Sequence, residues 1–180
     1  MTSWATLNKE TASLISNLDA YVTANLLDYN FTNPTEMPMV SLGDVETLNE
    51  NVPSIKDFFD DLGLTVKTIG LFTVYPVEVS ANWPEPFVFI PFRNFSGMNF
   101  ILNDVNEDAN LNILPNGTNY YFADDTTVIE SAPFEDDTVY LVNTKVTHSF
   151  AYSDGAPDMP SEFGGFLLIG VNEDLSSYFE

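Results

Sequence analysis

Val139-Tyr140-Leu141-Val142-Asn143-Thr144-Lys145-Val146-Thr147-His148-Ser149-Phe150 reads as a β-strand, a short turn and a second strand that opens with a histidine. The same grammar extends outward. From Leu64 onward, short runs rich in Val, Ile, Phe, Thr and Tyr alternate with Asn, Asp, Gly and Pro. These runs predict strands near residues 64–75, 76–80, 86–92, 98–102, 119–123, 126–131, 138–143, 147–152 and 165–171. No helix-sized segment separates them, so the strands are expected to pair antiparallel in a sandwich or jelly roll. No internal repeat is evident.

The first 63 residues read differently. Leu7, Leu14, Ile15, Leu18, Tyr21, Val22 and Leu26 recur at helical spacing and predict an amphipathic helix over residues 7–28. Asn30 to Pro38, with Pro34 and Pro38, is a connector. A second helix is expected from about Val52 to Leu62, with Pro53 in its first turn, Ile55, Phe58, Phe59 and Leu62 on its apolar face, and Gly63 just past its end. Packing against the sheet is the simplest use for both helices, because a small domain needs that burial. The division expected is 1–49 for the N-terminal helix and connector, 50–172 for the jelly roll and 173–180 for an acidic tail. That tail, with Tyr178 and Phe179 near its end, reads as a frayed terminus or a flexible docking peptide.

Composition removes several functional classes. The 180 residues include 27 acidic and 5 basic side chains, a net charge of −22, which repels phosphate and argues against binding nucleic acid or anionic membrane through basic patches. The absence of cysteine removes disulfides, thiolate nucleophiles and cysteine-ligated metals, and a single histidine, His148, excludes any site that needs two. With 44% hydrophobic and 14% aromatic residues the chain can fill a core. No signal peptide and no apolar run of membrane-spanning length is visible, so a soluble protein used in a cytosol or packaged into a particle is expected. Asn-x-Ser/Thr triplets begin at Asn30, Asn94 and Asn116; without an export signal they reflect an Asn- and Thr-rich sequence.

Three segments together carry a family resemblance. The strand–turn–strand ending in His148 resembles the segment that bears the distal iron-binding histidine in small Fe(II)/2-oxoglutarate oxygenases of the aspartyl/asparaginyl-hydroxylase-like kind, proteins frequent in marine bacteriophage genomes. Phe87-Val88-Phe89-Ile90-Pro91-Phe92-Arg93-Asn94 is similar to that family's strand with an Asn-Ile-Pro-type core. Residues 55–75, a helix ending Phe58-Phe59-Asp60-Asp61-Leu62-Gly63-Leu64 followed by an apolar strand, fit the lead-in to the iron site. The resemblance spans roughly residues 50–172 and implies a mainly β fold with N-terminal helices, a double-stranded β-helix (jelly roll, cupin-like).

The family's chemistry uses two histidines and one carboxylate as a facial triad, with open positions for 2-oxoglutarate and oxygen. The resemblance sets Glu78 where the first histidine would stand, Ser80 where the carboxylate would stand and His148 at the distal position. A serine hydroxyl is a poor iron ligand, and no second histidine exists. The family anchors its cosubstrate through an arginine early in the last core strand. Here that region is Glu162-Phe163-Gly164-Gly165-Phe166-Leu167-Leu168-Ile169, with glycine at the corresponding place, and the only arginine, Arg93, is expected away from it. The implied site is degenerate: no catalytic, cofactor-binding or metal residues are expected, and Glu78, Ser80 and His148 are vestigial positions. His148 on this reading is a core or rim residue hydrogen-bonded to a neighbour.

Other patterns are weaker. Asp104-Val105-Asn106-Glu107-Asp108-Ala109-Asn110 begins like a calcium loop but lacks the glycine at its sixth position and has Pro115 where the closing glutamate belongs. Asp124, Asp125, Glu135, Asp136 and Asp137 offer glycosidase-like pairs with no specificity in so acidic a chain. Three functions of different class follow. The expected one is a non-catalytic, phage-encoded structural or interaction module that binds protein partners, including other phage structural proteins, and neither nucleic acid nor membrane. The alternatives are an active or residual hydroxylase using Fe(II) and 2-oxoglutarate through Glu78 and His148, and an acidic mimic of nucleic acid.

Overall fold

The computed structural model describes residues 4–25, 39–73, 79–82, 85–93, 98–104, 111–113, 119–122, 127–144, 148–152 and 165–180. Along the chain run β1 (Trp4–Leu7), α1 (Ala12–Asn25), β2 (Met39–Ser41), α2 (Val45–Asn51), α3 (Ser54–Asp60), β3 (Val66–Thr73), β4 (Val79–Asn82) and β5 (Phe87–Arg93). They are followed by β6 (Met98–Asp104), β7 (Leu111–Ile113), β8 (Asn119–Phe122), β9 (Thr127–Pro133), β10 (Val139–Val142), β11 (His148–Tyr152), β12 (Gly165–Val171) and a 3₁₀ turn at Ser176–Tyr178. Among the described residues the strands form two six-stranded antiparallel sheets, ordered β1-β10-β5-β12-β3-β2 and β7-β8-β4-β11-β6-β9. The fold is therefore mainly antiparallel β with a few helices. No described helix is long and apolar enough to cross a membrane.

The first sheet has two buried faces, and period-two alternation sorts its side chains between them. Ile69 and Leu71 of β3, Val88 and Ile90 of β5, Val139 and Leu141 of β10, and Leu167 and Ile169 of β12 pack with Leu14, Leu18 and Val22 of α1, Leu48 of α2, and Ile55, Phe58 and Phe59 of α3. The intervening residues, Phe89, Tyr140, Val142, Phe166 and Leu168, form a separate cluster on the other face. β12 lies between β5 and β3, and all seven of its residues are buried. An uninterrupted apolar run such as Phe166–Ile169 is what a strand covered on both sides requires.

The helices are shorter and more numerous than the sequence pattern predicts. Leu7 belongs to β1, not to a helix: Trp4–Leu7 pairs with Val139–Val142 of β10. Cross-strand pairing overrides helical spacing at that end. The helix expected over 52–62 is α3, and ahead of it stands α2, which the pattern does not predict. Pro53 has no N–H to continue α2, so the chain breaks at Val52 and restarts as α3. Asp44 caps α2 by accepting from the Thr47 N–H (2.9 Å) and hydroxyl (2.6 Å), and these bonds hold its carboxyl below the usual range. α3 stops as expected at Gly63 (φ 70°). The Gly63 N–H donates to the Asp60 carbonyl and the Leu64 N–H to the Phe59 carbonyl, each at 2.9 Å.

The C-terminal residues are docked rather than frayed. Leu175 (2% exposed) and Phe179 (3%) enter the helix-side core, while Tyr178 is exposed. The Asn172 N–H donates to the Thr65 carbonyl (3.0 Å), and the Thr65 N–H donates to Glu173 Oε2 (2.8 Å), so the start of the tail is stitched to the start of β3. That second bond lowers the Glu173 carboxyl from its ordinary 4.5. Residues 26–38, with the proline connector, lie outside the described residues.

Two outcomes are expected. A Cβ at Gly170 would sit 2.5 Å from Thr68 Oγ1, so Gly170→Ala should cost about 1–3 kcal/mol in chemical denaturation and regain most of it in a Gly170→Ala/Thr68→Ala double variant. A carboxyl lowered by folding contributes stability above its unfolded pKa and loses it as pH falls through the native one. Glu173→Gln should therefore show a shallower loss of thermal stability than the parent as pH drops below about 4.5.

Candidate functional site

His148 is the first residue of β11, a strand flanked by β4 and β6. It is 1% exposed, and its cross-strand partners by register are Ala81 on one side and Leu102 on the other. Ser80 stands one residue from Ala81, opposite Tyr121 of β8. Glu78 lies outside the described residues. Ahead of His148 the chain leaves β10 through Thr144, fully buried, whose hydroxyl donates to the Glu85 carbonyl at 2.5 Å. That bond ties the β10–β11 turn to the start of β5.

The iron site implied by the family resemblance can be tested on these donors. Directly beside His148 the ladder offers an alanine and a leucine, and Ser80, one position from Ala81, falls on the other face of β4 by register. Among the described residues no three His, Cys, Asp or Glu side chains come together in a metal-binding group. The described residues do not fit a facial triad.

The cosubstrate arginine has a more informative counterpart. Gly165 opens β12, and register sets Arg93 directly opposite it, which corrects the expectation that Arg93 lies away from this point. Between Arg93 and Pro91 the ladder skips a residue: Gly165 faces Arg93 and Phe166 faces Pro91, leaving Phe92 as the extra residue of a bulge. One inserted residue reverses the alternation of faces. Arg93 is thereby turned to the helix side, where its Nε donates to Asp19 Oδ1 of α1 (2.7 Å) and its Nη2 reaches the same oxygen and Thr23 Oγ1 (3.4 Å). The guanidinium also lies over the Phe92 ring, 5.0 Å from its centroid. It is committed to holding a helix.

The face away from the helices is filled by rings. Phe134, the residue just after β9 of the second sheet, packs against Phe166 (centroids 4.5 Å apart), Tyr140 (4.9 Å) and Phe89 (6.5 Å), and Phe89 meets Phe166 at 6.0 Å. Phe89 and Phe166 are fully buried, and Trp4 and Phe87 close the margin. Among the described residues the one titratable group in this cluster is the Tyr140 hydroxyl, which accepts the Glu135 N–H at 2.7 Å; burial raises its pKa above the ordinary 10.0. Such a surface packs and excludes water. Its described residues include neither a base at neutral pH nor a cation for a dicarboxylate.

Elsewhere, a cleft of about 230 Å³ at the far end of β12 is lined by Lys67, Glu85, Asn172, Glu173 and Asp174. Its charges are already spent: Lys67 pairs with Glu85 (3.5 Å), Glu173 holds Thr65, and Asp174 accepts the Ser176 N–H (2.9 Å). Of the acidic residues considered as catalytic pairs, Asp137 has a structural use. Its Oδ1 accepts the Thr11 N–H (3.3 Å), the Thr11 hydroxyl (3.4 Å) and the Ala12 N–H (3.1 Å), capping α1. Residues 105–110 of the calcium-like loop, Asp124, Asp125, Asn30, Asn94 and Asn116 lie outside the described residues.

The chain matches no protein-family model, and no curated protein matches it.

Pattern reading missed the ring cluster as a unit, although its signal was present. Phe87/Phe89, Tyr140/Val142 and Phe166/Leu168 each repeat at period two in strands already predicted. What it lacked was the pairing that brings those strands side by side. Phe166→Ala should lower unfolding free energy by about 3–5 kcal/mol, whereas Phe166→Leu should cost much less; denaturant titration of both measures the difference.

Proposed function

We propose that this chain is a double-stranded β-helix, a jelly roll of the oxygenase-like kind, that has no Fe(II)/2-oxoglutarate chemistry and serves as a structural or protein-interaction component, phage-encoded and acting in a virion or as an accessory factor. The path of the chain supports the fold. β3, β5, β10 and β12 stand in the first sheet in the order β3-β12-β5-β10, and β4, β6, β9 and β11 in the second in the order β4-β11-β6-β9. Counted as eight core strands, these orders read 1-8-3-6 and 2-7-4-5. The chain crosses between sheets at each step except the fourth, where the β7–β8 hairpin intervenes. Two winding ladders of this kind are what a jelly roll requires.

The observation that carries the functional half is the ring cluster. In an oxygenase of this architecture the interior beside the last core strand holds a dianionic cosubstrate; here the same strand presents Phe166 and Leu168 to Phe89, Phe134 and Tyr140. A dicarboxylate at that face would lose its hydration against aromatic carbon with no cation among the described residues of the cluster to replace it. The bulge that sends Arg93 to Asp19 removes the nearest guanidinium from that face. What a filled jelly roll keeps is a rigid body with loops, suited to docking and assembly.

Anaerobic Fe(II) titration with and without 2-oxoglutarate tests the catalytic half. The expected result is no micromolar binding and no 2-oxoglutarate-dependent visible absorbance; either signal overturns the reading. For the assembly half, stoichiometric recovery of the chain in washed particles is expected, and its absence from them overturns the virion role.

A further inference from the structure

We propose that α1 is a latched strap: a helix held over the helix-side face of the first sheet by one carboxylate and one guanidinium from distant strands, and able to open as a unit while the sheets stay folded. Three observations carry this. First, α1 brings no electrostatic end-caps of its own, having no acidic residue in its first turn and no basic residue in its last. A 14-residue helix without such support is marginal by itself.

Second, both holds come from elsewhere. The free amides at its N-terminus are satisfied by Asp137, 126 and 125 residues away, on the turn that opens β10. Its middle is held by Arg93, 74 residues from Asp19, at the end of β5. Asn17 adds a bond to Ser54 Oγ of α3 at 3.3 Å.

Third, the latch residue is itself strained. Among the described residues Asp137 is the single non-glycine with positive φ, at 49°. Aspartate tolerates that conformation but does not prefer it, so an outlier there points to a constraint served by its carboxylate. The three hydrogen bonds to Thr11 and Ala12 supply that constraint.

The neighbouring helices contrast with it. α2 is capped by its own Asp44, and α3 carries an internal Lys56–Asp60 pair and the Gly63 stop. Apart from the latches, α1 is held chiefly by Leu14, Leu18 and Val22. Its departure would uncover apolar side chains of the helix-side core, which ties exposure of that surface to two polar contacts. The proposal does not depend on the oxygenase reading.

Native-state hydrogen exchange on the full chain tests it. In the parent, α1 amides are expected to exchange through an opening with a smaller free energy and weaker denaturant dependence than the amides of β5 and β12. Asp137→Gly removes the cap while relieving the backbone strain, and Asp19→Ala releases Arg93. Each should speed exchange across residues 12–25 by about fivefold or more with β5 and β12 unchanged. Asp137→Asn, which keeps an acceptor and tolerates the same φ, should restore most of the protection. If α1 and the sheet exchange with one free energy and one denaturant slope, or if both latch variants leave residues 12–25 unchanged, the strap is overturned. Should Asp137→Gly fail to fold, the parent slopes and Asp19→Ala decide between the same outcomes.

Discussion

β12 runs between β3 and β5 with every one of its residues buried, and that burial on both sides is the constraint from which the rest of the structure follows. A strand in that position must be apolar on both faces, and the two faces must be covered by different things. Leu167 and Ile169 take the helices as their cover, while Phe166 and Leu168 take the rings of Phe89, Phe134 and Tyr140. The N-terminal helices and the docked Phe179 supply the cover on that side. Without them the helix side of β3, β5, β10 and β12 would meet water.

Charge is then displaced to the periphery of that packed sheet. Lys9 pairs with Asp61, Lys56 with Asp60, Lys67 with Glu85 and Arg93 with Asp19, so each described lysine and arginine is engaged by a carboxylate. These pairs are partly or largely exposed and add little to stability one at a time. Their value is positional. Arg93 shows it best, because a single-residue bulge decides which face receives the guanidinium. Turned one way it would stand with the ring cluster; turned the other, it fastens α1. The chemistry proposed to be missing is thus a matter of direction as much as of composition.

Apart from β7, the strands from β3 onward were legible in the sequence because β-branched and aromatic runs bounded by Asn, Asp, Gly and Pro say the same thing at every level. Predicted spans such as 165–171 and 147–152 fall on or within a residue of β12 and β11. The elements that escaped were short and locally ambiguous. Trp4–Leu7, Met39–Ser41 and Leu111–Ile113 are strands because a partner stands beside them, and α2 buries a single leucine, which leaves no stripe to read. At the candidate site, the lone histidine and the serine were visible by inspection. That the residues opposite His148 are Ala81 and Leu102 is a statement of register, and register is invisible until strands pair.

The sequence by itself determined a β-rich chain with helices near its start, a strongly acidic composition and a single histidine with no cysteine, since these depend on which residues are present and on spacing within short windows. Only the tertiary structure decided that three strands and Phe134 pool phenylalanines and a tyrosine into one packed face, that Arg93 points to a helix, and that Asp137 caps another part of the chain. Those outcomes depend on contacts between residues up to 126 positions apart, and no local pattern encodes them.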